Sequence, residues 1–404
     1  MHPRNASQRP APPGGGGVRR PIRVVEGQLI APNGVVAELA EVLGPEAPVR
    51  PLAQLTPGKA AGQSLTLVQV GGTMPTLKQL ELLAAKAPSL AEVVTANYIL
   101  QPWVSSGGDG LPVPSTATPP TGNFPGTGEV VLFDSGLLTS FHTGRPYLAR
   151  VTAATSADLI TLPGPNQVLG LFDSHGMFVS GVLACAAPGA DVTVRRVFDN
   201  TGGVDDFGLA TAINTYLNQH PDTMVVNLSC GTFAEPNHPP AALEQLVRAW
   251  PGVLFVAAAG NVGGGLPLLP AFPAAFEQVV GVGATNHAGQ PTTFSDPLST
   301  DVWALGGQVE NAFGPGTVGF GTNKIGPFNL TANWSGTSFA APLVAAALLE
   351  FMAAPPANQN LAVAAISWLA DRYPLLNGKP VVPAPSGPVA TSRHRLVARP
   401  ASRG

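Results

Sequence analysis

Four short stretches of this chain are dominated by Val, Leu, Phe and Ala: Glu129–Phe133, Thr223–Leu228, Val253–Ala258 and Gln278–Val282. Each follows a helical or loop segment. Strands that are apolar on both sides must be covered on both faces, and parallel strands need long crossover connections. The pattern therefore predicts an α/β fold: a mostly parallel central sheet between two helical layers. Asp191–Phe198 reads as another strand, Leu209–Asn218 as a crossover helix and 359–372 as a further helix. In such sheets the chemistry gathers beyond the carboxyl ends of the strands. Asp134 and Asn261 both fall just past such an end.

Ser338 lies in Gly336-Thr337-Ser338-Phe339-Ala340-Ala341-Pro342, a small-residue turn opening an apolar helix. Most serines before a helix are N-caps. Here the turn would also hold the hydroxyl at the sheet's edge, with the serine N–H at a helix N-terminus, where developing negative charge is favoured. Pro342 is expected near the first turn, where proline is least disruptive. His175 sits in Asp173-Ser174-His175-Gly176-Met177, and small residues at 176, 180, 181 and 184 mark a helix packed closely against something. The other six histidines have no comparable context. Asp134 precedes Ser135-Gly136, which could be a plain turn, or Asp134 could be a buried carboxylate that orients a histidine. Asp173 competes by proximity but would face differently from His175. Asn261 closes Ala257-Ala258-Ala259-Gly260-Asn261, either as a turn or as an oxyanion donor. The chain order Asp, His, Ser differs from that of chymotrypsin and of the α/β-hydrolases.

Taken in order, these strings resemble the motifs of the subtilisin-like (subtilase) serine peptidases. Ala187-Pro188-Gly189-Ala190, Asn227-Leu228-Ser229-Cys230-Gly231 and Phe272-Pro273-Ala274 extend the resemblance over about residues 128–352. It implies a serine endopeptidase with a subtilisin-like three-layer fold, acting on protein or peptide substrates. Ser338 would be the nucleophile, His175 the general base and then acid, and Asp134 the residue that orients it. Asn261 and the Ser338 N–H would bind the oxyanion. Ser229, Cys230, Gly231, Ala258, Ala259 and Gly260 would line the primary specificity pocket. A silent scaffold of the same fold would be expected to lack one of the four polar groups, and none is lacking. A sedolisin-like site would carry Glu in place of His175. Three departures from the family pattern stand out. Met177 replaces the usual Thr and would add bulk near the base. Cys230 places a thiol on the pocket strand, and Ala304-Leu305-Gly306 replaces Ala-Pro-Gly.

Upstream, residues 22–103 mix strands (Ile22–Val25, Leu65–Val70, Glu92–Ile99) with helices (Val35–Leu43, Leu77–Ala85), a small α+β unit. It resembles an inhibitory propeptide, and Ala96-Asn97-Tyr98-Ile99-Leu100-Gln101-Pro102 is similar to the ending of one. The resemblance implies an intramolecular inhibitor, cut off somewhere in the Gly/Ser/Pro-rich linker 104–127, where no single bond stands out. The peptidase unit is expected over 128–376, between a disordered arm (1–21) and a disordered basic tail (377–404).

A net charge of −3 with 11% charged residues predicts neither nucleic-acid binding nor membrane attraction. Met1–Pro21 has no apolar core of a signal peptide, so the expected location is cytoplasmic. Cys185 and Cys230 fit no zinc spacing and are expected as free thiols. No cofactor is expected. Members of the family carry structural calcium, but no position for it can be read from this sequence.

Overall fold

The computed structural model of the chain describes residues 22–58, 64–103, 110–122, 124–161, 168–199, 201–235, 237–261, 269–320, 323–357 and 359–385. Its centre is a seven-stranded sheet in the order Val302–Leu305, Val279–Thr285, Leu254–Ala258, Val225–Leu228, Gly128–Asp134, Ala190–Arg196 and Val151–Ala153. Every pairing in it is parallel. Successive strand side chains point to opposite faces. Val130 and Leu132 accordingly enter one core, while Val131 and Phe133 enter the other. Helices His175–Ala186 and Thr337–Met352 cover the first face. Asp206–Gln219 and Ala241–Ala249 cover the second. The three-layer α/β expectation holds, with ends shifted by a few residues.

Gly128–Asp134 is the first strand of this sheet in the chain, yet it lies inside it. Its neighbours are Ala190–Arg196 on one side and Val225–Leu228 on the other. Connections diverge to both sides there, which opens a crevice at the strand's carboxyl end. Asp134 is the last residue of that strand.

The upstream residues form their own antiparallel sheet in the order Val49–Leu55, Leu65–Val70, Val24–Pro32 and Thr95–Pro102, with helices Val36–Leu43 and Thr76–Lys86. The first strand runs to Pro32 rather than ending at Val25. The last begins at Thr95, because Pro88–Ala91 turns as a short helix first. Strand Val49–Leu55 escaped the sequence pattern because its side chains are mostly exposed.

This sheet does not stop at the unit's edge. Thr95–Pro102 pairs antiparallel with Cys230–Phe233, which pairs in turn with Ala271–Phe272. Val204–Asp205 pairs with Leu100 and Ile99 as well. Leu29, Ile30, Leu83 and Leu100 share one core with Phe207, Ala210, Leu246 and Val247 of the covering helices.

Two segments expected to be irregular are ordered. Within 104–127, Val113–Ser115 pairs with Thr331–Asn333, Gly110 O accepts from Trp334 Nε1 at 3.0 Å, and Gly122 N donates to Cys185 O at 2.7 Å. Backbone pairing at a sheet edge needs no apolar side chains, so composition hid it. Within the tail, Leu375–Leu376 pairs with Lys379–Pro380, and Val382 is buried with its N–H on Trp303 O. Residues 1–21, 104–109 and 386–404 lie outside the described residues. Among the described residues, no helix is long and apolar enough to cross a membrane.

Candidate active site

His175 is the first residue of its helix, and the whole helix is buried. Its Nδ1 donates to the Asp134 carboxylate, 2.8 Å from Oδ1 and 3.0 Å from Oδ2. Gly176 makes this approach feasible. A Cβ there would lie 2.6 Å from Gly136 O and 3.2 Å from Asp134 Oδ1. Gly176 N donates to Ser135 Oγ at 2.9 Å, and Ser135 N donates to Asp134 Oδ1 at 2.6 Å. The imidazole packs against Trp334 and Phe339, at ring centroid distances of 5.7 and 5.6 Å. Asp173 does not compete, since its carboxylate accepts from Gly170 N and closes the preceding turn.

Ser338 is the second residue of helix Thr337–Met352 and is fully buried. Pro342 stands inside this helix, four residues beyond Ser338 and deeper than the first turn. Proline has no N–H, so the Ser338 carbonyl loses its helical donor. Ser229 Oγ donates to it instead at 2.7 Å, and Asn227 Nδ2 donates to Ser229 Oγ at 3.0 Å. The missing helix bond thus becomes a tie between the nucleophile's backbone and the cleft strand.

Asn261 is oriented from its carbonyl end. Oδ1 accepts from Thr337 N at 3.0 Å and from Thr337 Oγ1 at 2.9 Å. Its Nδ2 borders Gly336, where a Cβ would be 3.5 Å from Nδ2 and would collide with Trp103 O.

The structure therefore brings Asp134 and His175 into direct contact and sets Ser338, Ser229 and Asn261 around one crevice. Ser338 and His175 are not hydrogen-bonded. Ser338 Oγ donates to Ser229 O at 2.8 Å and accepts from Trp103 N at 3.0 Å. His175 Nε2 is buried with no hydrogen-bond partner among the described residues.

Of the expected pocket residues, Gly231 and Gly260 lie against the Trp103 indole. Ser229 holds the nucleophile, while Ala258 and Ala259 are buried. Sequence reasoning missed Trp103, Phe233, Thr337 and Leu269. For Trp103 a signal existed: it is the last large aromatic residue before the Gly/Ser-rich stretch.

Two expectations about side chains change. Met177 is wholly buried in the first core, so its bulk fills packing space rather than the cleft. Cys230 is buried, and burial, with the Asp134 charge nearby, pushes its thiol well above the usual range. Cys185 is also free and buried, and burial raises it to about 12. Thiolates are the reactive form, so neither position is activated.

The described residues contain no cluster of three or more His, Cys, Asp or Glu side chains fit for a metal. One convergence of backbone carbonyls is already served by a cation of the chain itself. The buried Arg145 guanidinium donates to the carbonyls of Leu330, Thr143, Phe141, Asn329 and Phe313. These residues do not fit a calcium ion, and no step below involves one.

A family model described as the Subtilase family matches residues 139–369, more than half of the chain. The chain belongs to the subtilase family. The matched span of this subtilase includes His175, Asn261 and Ser338 and begins five residues after Asp134. It is 30% identical over 198 residues to the minor extracellular protease Epr of Bacillus subtilis (strain 168), covering 47% of this chain and 28% of Epr. To subtilisin of Bacillus pumilus it is 28% identical over 201 residues, covering 47% of this chain and 67% of that one. The chain thus spans under a third of Epr and about two thirds of the B. pumilus subtilisin. A solved cold-adapted subtilisin-like serine proteinase aligns at 19% identity with a TM-score of 0.47, covering 68% of this chain and 94% of that chain.

Proposed function

We propose that this subtilase is a serine endopeptidase that forms an acyl-enzyme on Ser338, and that residues 22–103 are its intramolecular inhibitor. The observation that carries the proposal is the buried Asp134–His175 pair, packed against Phe339 next to Ser338 in the chain, with the upstream strand seated across the nucleophile.

An extended substrate adds by backbone pairing to the edge of Cys230–Phe233 that Thr95–Pro102 occupies in this structure. Ser338 Oγ attacks the carbonyl carbon while His175 Nε2 takes its proton. Asp134 keeps Nδ1 protonated and stabilises the imidazolium that forms. Asn261 Nδ2 and the Ser338 N–H receive the oxyanion. Fixed donors in a site closed to water stabilise that charge without reorganising. His175 then protonates the leaving amine, and a water molecule hydrolyses the ester by the same route. Protein or peptide chains are the substrates.

Inhibition follows from occupancy. Pro102 faces Cys230 and Gln101 faces Gly231, so the substrate edge is already paired. Asn97 Nδ2 donates to Asp205 Oδ1 at 2.9 Å, and Tyr98 OH donates to His238 O at 2.7 Å, which anchors the strand beyond the cleft.

The test is digestion of an unfolded protein substrate by the purified chain and by Ser338→Ala. Cleavage by the first alone is expected. Equal cleavage by both, or none by either after limited proteolysis at 104–109, would reject the proposal.

A further inference from the structure

We infer that Trp334 is a positioning residue for His175, and that Trp334 is itself held by the Gly110 carbonyl, at the start of a strap laid across the peptidase unit. The inference rests on the endopeptidase reading and adds to it a group that acts through the base.

His175 Nδ1 donates to both carboxylate oxygens of Asp134, which fixes one edge of the imidazole. The ring can still rock about that edge, and Nε2 has no hydrogen-bond partner among the described residues to stop it. The Trp334 indole stands against the imidazole at a centroid distance of 5.7 Å and an interplanar angle of 88°, the edge-to-face arrangement that aromatic rings favour. It meets Phe178 in the same way, at 5.7 Å and 89°. Phe178 lies three residues beyond His175 in one helix, so the two share a face. Trp334 thus contacts the helix that carries the base at two points.

A ring can position another only if it is itself fixed. Trp334 is buried, its backbone pairs with Val309, and Phe313 and Phe339 pack on it at 5.8 and 5.1 Å. The indole N–H is its only polar side-chain group. It donates to Gly110 O at 3.0 Å, across 224 positions of chain. By contrast, the indole nitrogens of Trp103 and Trp303 are buried without a partner among the described residues.

Gly110 is held in turn. Val113 pairs with Asn333, the residue before Trp334, and Thr331 Oγ1 donates to Ser115 O at 2.9 Å. Further along, Gly122 N donates to Cys185 O at 2.7 Å and Phe124 N to Ala186 O at 3.1 Å. Both carbonyls lie at the far end of the His175 helix. The strap therefore ties the strand that leads into Ser338 to the helix that carries His175. A cut within 104–109 leaves Gly110 attached to the peptidase unit, so the tether survives activation.

What the tether fixes is the direction of Nε2, the atom that takes and returns the proton. A displacement of about 1 Å near reacting groups can cost about 10²-fold in rate. The loss should fall on kcat, because the edge of Cys230–Phe233 that binds substrate does not involve Trp334.

The test is steady-state kinetics on a chromogenic peptide, with full-length variants activated by limited proteolysis at 104–109. Trp334→Leu removes the ring, and kcat should fall by about 10²-fold with KM changed by less than about twofold. Trp334→Phe keeps a ring but loses the donor to Gly110 O, so kcat should recover to about tenfold below the unsubstituted enzyme. Asp134→Asn already costs the imidazole its orientation. On that background Trp334→Leu should cost less than about threefold more, because two residues that act through one ring are not additive. A packing role alone would instead add its full cost there. Full additivity, a loss confined to KM, or a kcat for Trp334→Phe within about twofold of the unsubstituted enzyme would overturn the inference and leave the endopeptidase reading standing. The last criterion decides even where Trp334→Leu fails to fold. No Ser338-dependent cleavage by the unsubstituted chain would reject that reading, and this inference with it.

Discussion

The two halves of the catalytic constellation stand in different states. On the acid–base side, Asp134 and His175 are joined at 2.8 Å and buried, with the imidazole packed against Trp334 and Phe339. On the nucleophile side, Ser338 is turned to Ser229 O and Trp103 N and makes no bond to His175. The first half is held by residues of the peptidase unit itself, through Gly176 and the Ser135 turn. In the second, one of the two partners of the Ser338 hydroxyl comes from the upstream residue Trp103. On the proposal that residues 22–103 inhibit the site, the imidazole is set before substrate arrives, while the hydroxyl becomes available only when the upstream strand gives way.

The largest effect should come from the finished half. Asp134→Asn leaves the shape but favours the wrong imidazole tautomer, so kcat should fall by about 10⁴-fold. Steady-state kinetics on a chromogenic peptide would show it, and a fall under about tenfold would mean that His175 is oriented by something else. Next, Asn261→Ala removes a donor aimed at the developing oxyanion. A loss of roughly 10²–10³ in kcat with little change in KM is expected. A change confined to KM would make Asn261 a binding group.

Ser229→Ala probes the nucleophile half alone. It strips the donor from the Ser338 carbonyl that Pro342 leaves without a helix partner. A buried unsatisfied acceptor costs about 1–3 kcal/mol, so the melting temperature should drop by several degrees in a Ser338→Ala background. In the otherwise unsubstituted enzyme the pH dependence of kcat/KM should not move, because the Asp134–His175 pair is untouched. A shifted profile would show that the halves are coupled.

The smallest effect concerns the boundary between the units. Asp206 is wholly buried and accepts from Ala242 N and Leu243 N, yet burial pushes its carboxyl up to about 7. The folded value lies above the unfolded one of about 3.9. The stabilisation is therefore full below pH ~4 and is lost as pH rises through ~7. Thermal melts of the Ser338→Ala chain should show a falling stability over that window, and adding Asp206→Asn should flatten it. An unchanged slope would assign the pH dependence to other groups.

The sequence carried much of this because the motif residues owe their places to local rules. The paired apolar strands announce a covered parallel sheet, and the small residues around His175 and Ser338 announce close approach. What stayed hidden depends on distant partners. Trp103 meets Ser338 across 235 positions of chain, and nothing in its own neighbourhood says that a glycine-lined slot awaits it. Val113–Ser115 pairs through its backbone, which composition does not report. Met177 was expected beside the base because motif position gives proximity but not direction, and its side chain packs into the core. The role of Pro342 was legible only as tolerance of a helix start; that it hands the Ser338 carbonyl to Ser229 needed the fold.

The central claim is that a complete catalytic site is shut by a strand of the same chain. The rate of fluorophosphonate labelling at Ser338 tests it most directly, measured on the full-length chain and again after residues 22–103 have been cut away and removed. The account expects slow labelling before and a rise of at least ~10²-fold after, the scale on which a tethered ligand outcompetes a free one. Equal rates in the two states would contradict it.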